Sequence, residues 1–123
     1  MNGNKLLLDT NALIYLDKGS ETVARFMVDK LIYLSVISEI ELLSIPGLSE
    51  AKVHQLEQML GWFKIVDLEP AIKRTAIDVR RHKKLKLPDA IIAATAIEYN
   101  LPLLTADRTF AKIEGVNSVI FEV

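Results

Sequence analysis

Apolar residues fall along this chain in two alternating patterns, short unbroken runs and longer stretches with helical spacing. The short runs are Lys5 to Asp9, Leu31 to Ile37, Phe63 to Leu68, Pro102 to Thr105 and Ser118 to Val123. Each is rich in Leu, Ile, Val or aromatic residues, and at this length such runs predict buried strands. After Ser49, residues Val53, Leu56 and Leu60 stand at i, i+3 and i+7, and Ile72, Ala76 and Val79 repeat the stripe further on. Both segments predict amphipathic helices that cover a sheet. Ser38, three residues before Glu41, has the form of a capping box and predicts a short helix that Pro46-Gly47 ends. Pro88 suits the first turn of another helix, running to about Asn100. Ala90, Ile91, Ile92, Ala93, Ala94, Ala96 and Ile97 make that helix apolar almost all round, so it belongs in the middle of the domain.

Strands that alternate with helices predict an α/β fold, a three-layer α/β/α sandwich on a mainly parallel central sheet of about five strands. No repeat or Gly/Ser-rich linker divides the 123 residues, so they read as a single domain, 1–123. A 50% apolar fraction with only five Gly and four Pro excludes disorder and low-complexity classes. The absence of cysteine removes disulfide scaffolds, zinc ribbons and thiol nucleophiles, and fits a reducing compartment. MNGNK followed by LLL lacks the pattern of a signal peptide, and AIIAATAI is far too short for a membrane span. A soluble, cytoplasmic protein without membrane contact is expected.

Fifteen Lys and Arg against sixteen Asp and Glu give a formal charge of −1, which conceals an uneven distribution. Residues 80–86 read RRHKKLK and hold five of the fifteen cations, leaving 10 basic against 16 acidic residues elsewhere. In a parallel α/β sheet, ligands bind outside the carboxyl ends of the strands. Four carboxylates fall at or just past that edge. Asp9 ends the first strand, Glu41 lies in the first turn after the second, Asp89 opens the buried helix, and Asp107 follows the fourth strand. Singly, each suits a helix cap or a helix dipole. Together in one crevice they would repel, by roughly 2 to 3 kcal/mol for a pair about 6 Å apart at an effective dielectric near 20, unless a cation neutralised them. Oxygen ligands without Cys or a His pair point to a hard ion, Mg²⁺ or Mn²⁺, and such ions support hydrolysis of phosphodiesters.

The segments LLLDTNALI, S-x-x-E-L-L, LPDAIIAATA and T-A-D-x-x-F, taken in order over nearly the whole chain, resemble the PIN-domain ribonucleases, and in particular the small VapC-like toxins of toxin–antitoxin pairs. The resemblance implies an endoribonuclease whose acidic quartet, Asp9, Glu41, Asp89 and Asp107, binds one or two divalent ions. It implies that Thr10, Asn11, Ser38 and Thr105 orient those carboxylates or a bound water. It also implies a cognate antitoxin and a homodimer built through helices. Glu39 stands two residues before Glu41, a step of about 200° on a helix, so only one of them can face the site. The family's E-L-L and the spacing from Ser38 favour Glu41.

Arg80, Arg81, Lys83, Lys84 and Lys86, with Arg108 beside Asp107, are candidate RNA-binding residues, since cations near metal-bound phosphate neutralise the flanking phosphates of a strand. His54 reads as a surface residue, and Trp62 and Phe63 read as core. No G-x-S-x-G elbow or G-x-x-x-x-G-K loop is present, which excludes serine-hydrolase and P-loop chemistry. A response-regulator receiver is also excluded: strand one ends D-T-N and the last strand, SVIFEV, is not followed by a lysine. The remaining rival is a PIN-like module that binds RNA or protein without cutting.

Overall fold

The computed structural model describes residues 3–123. β1 (Lys5–Leu8) leads through α1 (Thr10–Asp17) and α2 (Glu21–Met27) to β2 (Leu31–Ser35). Next come α3 (Val36–Leu43), α4 (Glu50–Leu60), β3 (Lys64–Val66), α5 (Pro70–His82), α6 (Leu87–Glu98), β4 (Leu103–Thr105), a 3₁₀ turn (Arg108–Lys112) and β5 (Ser118–Ile120). The five strands form one sheet in the order β3-β2-β1-β4-β5, every neighbouring pair parallel. The α/β sandwich read from the sequence is therefore the observed architecture.

Alternation along β1 builds the three layers. Leu6 and Leu8 point to one face, where they join Ala12 and Leu13 of α1, Val23 of α2, Leu42 of α3 and Leu56 and Leu60 of α4. Leu7 points to the other face and packs with Ile92, Ala93 and Ala96 of α6 and with Leu103 of β4. Complete burial of a leucine side chain stabilises the fold by about 1.5–3 kcal/mol, and Leu7, Leu8, Leu103 and Leu104 are all wholly buried. The apolar helix α6 lies where its composition demands, with residues 90 to 96 buried on all sides. α5 packs beside it as a helical hairpin. The two are joined by the short turn 83–86 at one end and tied at the other by the Tyr99 hydroxyl, which donates to both Glu69 carboxylate oxygens at 2.9 Å.

The chain starts in the centre of the sheet, moves outward through β2 and β3, and returns to the other side of β1 as β4. The strand order thus reverses between β1 and β4, and such a reversal opens a crevice at the strands' carboxyl ends.

Several local expectations are corrected. Ser38 does not cap a helix. The helix begins three residues earlier, because Ser35 Oγ accepts from Ile37 N–H at 3.1 Å and the strand ends there instead of at Ile37. Glu41 consequently lies in the second turn, where no capping box can close. The third strand shrinks from Phe63–Leu68 to Lys64–Val66, a short edge strand, since the chain must turn at Asp67 to enter α5. α6 ends at Glu98, and Asn100 takes a left-handed φ of 51° that stops the helix. Trp62 is not core: it sits in the turn after α4 with 86% of its surface exposed, while Phe63 beside it turns inward.

Candidate active site

Asp9 is the first residue past β1 and the N-cap of α1. Its Oδ1 accepts from Ala12 N–H at 2.7 Å, and its Oδ2 accepts from the Thr105 hydroxyl at 2.5 Å. The second contact follows from strand pairing: Leu8 registers with Leu104, which sets Asp9 beside Thr105. Thr105 is wholly buried, and its oxygen also accepts from Asp107 N–H at 2.9 Å. One hydroxyl therefore links the ends of β1 and β4. Asp107 caps the 3₁₀ turn, its Oδ1 accepting from Thr109 N–H at 2.9 Å and from the Thr109 hydroxyl at 2.7 Å.

Glu41 reaches the same region from α3. The Thr10 hydroxyl donates to Glu41 Oε1 at 2.6 Å and lies 2.9 Å from the hydroxyl of the buried Ser38. Asp89 stands in the first turn of α6, where the helix dipole favours a negative charge. Its side chain makes no hydrogen bond among the described residues. Capping and dipole roles therefore coexist with the functional role: three of the four carboxylates are set by helix starts and the fourth by a threonine.

All four line one cavity of about 410 Å³ together with Thr10, Asn11 and Lys86. Glu39 lines a different pocket beside Phe63 and Ile65, so it is Glu41 that faces the other acids. Lys86 is the one candidate cation in the acidic cavity. Arg80, Arg81, Lys83 and Lys84 line a neighbouring groove, and Arg108 pairs with Glu122 at 2.8 Å. His54 is exposed, as expected, and the Nδ1 of His82, also exposed, lies 2.9 Å from the Asp78 carbonyl oxygen.

The electrostatics are those of a cleft short of positive charge. Burial raises the Asp9 carboxyl above its ordinary range, against the hydrogen bonds from Thr105 and Ala12 that lower it, and the negative charges of Asp89 and Asp107 raise it further. Asp89 is raised by burial first, then by Asp107 and Glu41, with only Lys86 opposing. These carboxylates thus feel one another across the cavity. Among the described residues, no three Asp, Glu or His side chains close directly around a single point. The all-oxygen donor set, with Asp89 free of side-chain hydrogen bonds, fits a hard ion such as Mg²⁺ or Mn²⁺, which keeps several waters and takes only one or two carboxylates directly.

The raised carboxyls give a pH signature with a definite sign. A carboxyl whose pKa is higher in the folded than in the unfolded state adds stability below its unfolded value, near 3.8, and loses it as pH rises through the folded value. In EDTA, the melting temperature of Asp89→Asn is therefore expected to gain on that of the unsubstituted protein as pH is raised from about 4. Melting curves across that range provide the check, and a gap independent of pH would contradict the electrostatic account.

The fold and the position of this cavity match a known family. The PIN domain family model matches residues 6–116, and the chain belongs to that family. Its fold is shared with chains of solved toxin–antitoxin complexes. A chain of a toxin–antitoxin complex from Klebsiella pneumoniae superposes with a TM-score of 0.84 at 30% identity, covering 96% of this chain and 99% of that one. A chain of VapBC2 from Rickettsia felis, bound to a fragment of its promoter DNA, gives 0.84 at 20% identity with the same coverages. A chain of DNA-bound VapBC from Salmonella typhimurium gives 0.81 at 19%, covering 94% and 97%. The search of curated proteins finds no match. Among the described residues, no helix is long and apolar enough to cross a membrane.

Proposed function

We propose that the protein is a divalent-metal-dependent endoribonuclease and the toxin of a toxin–antitoxin pair. The observation that carries this reading is the gathering of Asp9, Glu41, Asp89 and Asp107, from four separate segments, around one cavity at the strand-order reversal. PIN family membership and the likeness to chains of toxin–antitoxin complexes support it. So does the completeness of the acidic set, which gives the non-cutting module no particular observation in its favour.

In this reading the four carboxylates would hold Mg²⁺ or Mn²⁺, one or two of them directly and the others through water, and the ion would supply a water of lowered pKa and neutralise charge on the phosphodiester. The chain's own residues position the rest. Thr105 fixes the Asp9 carboxylate and the Asp107 backbone together, and Thr10 with Ser38 holds Glu41 against the cavity wall. Asn11, exposed at the rim of the cavity, would orient the carboxylates or a bound water. Lys86 supplies a cation to a phosphate entering an otherwise acidic cleft. A cognate antitoxin and self-association into a homodimer belong to the same reading, and the setting is the cytoplasm.

Incubation of the purified protein with a panel of structured RNAs tests it. Discrete cleavage is expected with Mg²⁺ or Mn²⁺ and none in EDTA. RNA and metal binding without cleavage of any RNA in the panel would instead favour the non-cutting module.

A further inference from the structure

Asp107 is held differently from the other carboxylates of the cavity. Its backbone is fixed on both sides: its N–H donates to the buried Thr105 hydroxyl at 2.9 Å, and its carbonyl accepts from the N–H of the buried Phe110 at 3.4 Å. Its side chain is exposed where it lines the cavity. An exposed aspartate turns freely about its side-chain torsions, and binding an ion then costs that freedom. Arg108, the next residue, does not steady it, because Arg108 pairs with Glu122 at 2.8 Å.

Thr109 removes the freedom beforehand. Its backbone N–H and its hydroxyl both donate to Asp107 Oδ1, at 2.9 and 2.7 Å. A carboxylate oxygen offers two acceptor sites, so this pair of donors fills Oδ1 and leaves Oδ2 as the oxygen open to an ion. The backbone N–H by itself completes the cap of the 3₁₀ turn. The hydroxyl is surplus to the cap, and what it adds is a fixed direction for the carboxylate. A β-branched residue suits that task, because its own first torsion is stiff. The same device recurs around the cavity, where the Thr105 hydroxyl donates to Asp9 and the Thr10 hydroxyl to Glu41.

We propose that Thr109 is a positioning residue of the metal site, setting the Asp107 carboxylate so that Oδ2 is left for the divalent ion. The inference rests on the nuclease reading and gives a part to a residue outside the acidic set and the polar residues named with it. A purely structural hydroxyl would steady the turn and leave ion binding untouched. Thr109 is exposed, so its removal should barely disturb the fold.

The test measures Mn²⁺ binding from the electron paramagnetic resonance signal of the free ion, with the whole protein and without RNA. The unsubstituted protein is compared with Thr109→Val, Thr109→Ser, Asp107→Asn and the double variant that joins Thr109→Val to Asp107→Asn. Valine keeps the shape and the backbone N–H and removes only the hydroxyl, which serine restores. Thr109→Val is expected to weaken Mn²⁺ binding by about three- to tenfold, Thr109→Ser to recover most of that loss, and both to melt in EDTA within about 2 °C of the unsubstituted protein. In the Asp107→Asn background, Thr109→Val should weaken binding no further, since the carboxylate through which it acts is gone. Unchanged Mn²⁺ binding by Thr109→Val, or the same loss with and without the Asp107 carboxylate, overturns the inference and leaves the nuclease reading standing. An unsubstituted protein that binds no Mn²⁺ overturns both.

Discussion

Asparagine at position 89 is expected to slow RNA cleavage by on the order of a thousandfold, about 4 kcal/mol in barrier height, without lowering the metal-free melting temperature. The two halves of that expectation come from the same geometry. Asp89 is half-buried, its side chain makes no hydrogen bond among the described residues, and it faces the like charges of Asp107 and Glu41. Its charge favours the fold only through the α6 dipole, worth at most about 1 kcal/mol, and through Lys86, and the relief of repulsion offsets those losses. A bound ion reverses the sign, because the same charge then holds the cation. Single-turnover cleavage rates and melting curves in EDTA, taken on one preparation, check both halves. A variant that lost stability by more than about 2 kcal/mol while cutting RNA normally would make Asp89 a structural residue and nothing more.

Leu7→Ala carries the largest expected cost in stability, about 2–5 kcal/mol, and a fall in melting temperature of roughly 10 °C or more. Leu7 is wholly buried on β1, in the middle of the five-stranded sheet, between α6 and Leu103. Strands held on both sides cannot collapse into the space left by the missing atoms, so the cavity term is paid almost in full. The same substitution at Leu31, exposed at the start of β2, should cost less than about 1 kcal/mol. Urea unfolding of both variants provides the comparison. Equal losses at the two positions would mean that the core does not lie where the structure places it.

Period and composition made the layers legible. The five apolar runs correspond to the five strands, and the all-round apolar segment 90–97 is the helix at the centre. Boundaries failed where two residues of one type competed. Ser35 and Ser38 could each have capped α3, and the apolar pair Val36-Ile37 reads as strand continuation, so only the hydrogen bond to Ile37 N–H decides between them. Trp62 was misread because an aromatic residue beside an apolar run counts as core in any pattern, while its outward direction depends on the turn made after Gly61. α2 gave no distinct signal in the sequence, yet Ser20, whose hydroxyl accepts from Val23 N–H at 3.2 Å, could have announced it.

The candidate site was legible as a set of acids near strand ends, because parallel topology alone brings such positions to one edge. Its wiring was not. That Thr105 would bond Asp9 depends on the register of β1 with β4, and the Thr10 to Glu41 contact depends on how α1 lies against α3. The basic run 80–86 was the least legible feature. As a sequence it is one block of charge, but alternate residues after Lys84 turn to opposite sides, so Lys86 joins the acidic cavity while its neighbours face the groove. Proximity in sequence to Asp89 therefore did not imply proximity in space.

The most direct measurement is a time course of cleavage of an end-labelled RNA by the unsubstituted protein and by Asp9→Asn, each with Mn²⁺ and with EDTA. Asparagine keeps the oxygen that caps α1 through Ala12 but replaces the oxygen that accepts from Thr105 with an amide donor, so melting curves of both proteins accompany the time course. The account predicts cutting at discrete sites by the unsubstituted protein in Mn²⁺ alone and almost none in the other three reactions. Equal cutting by the two proteins, or cutting that EDTA leaves unchanged, would contradict it.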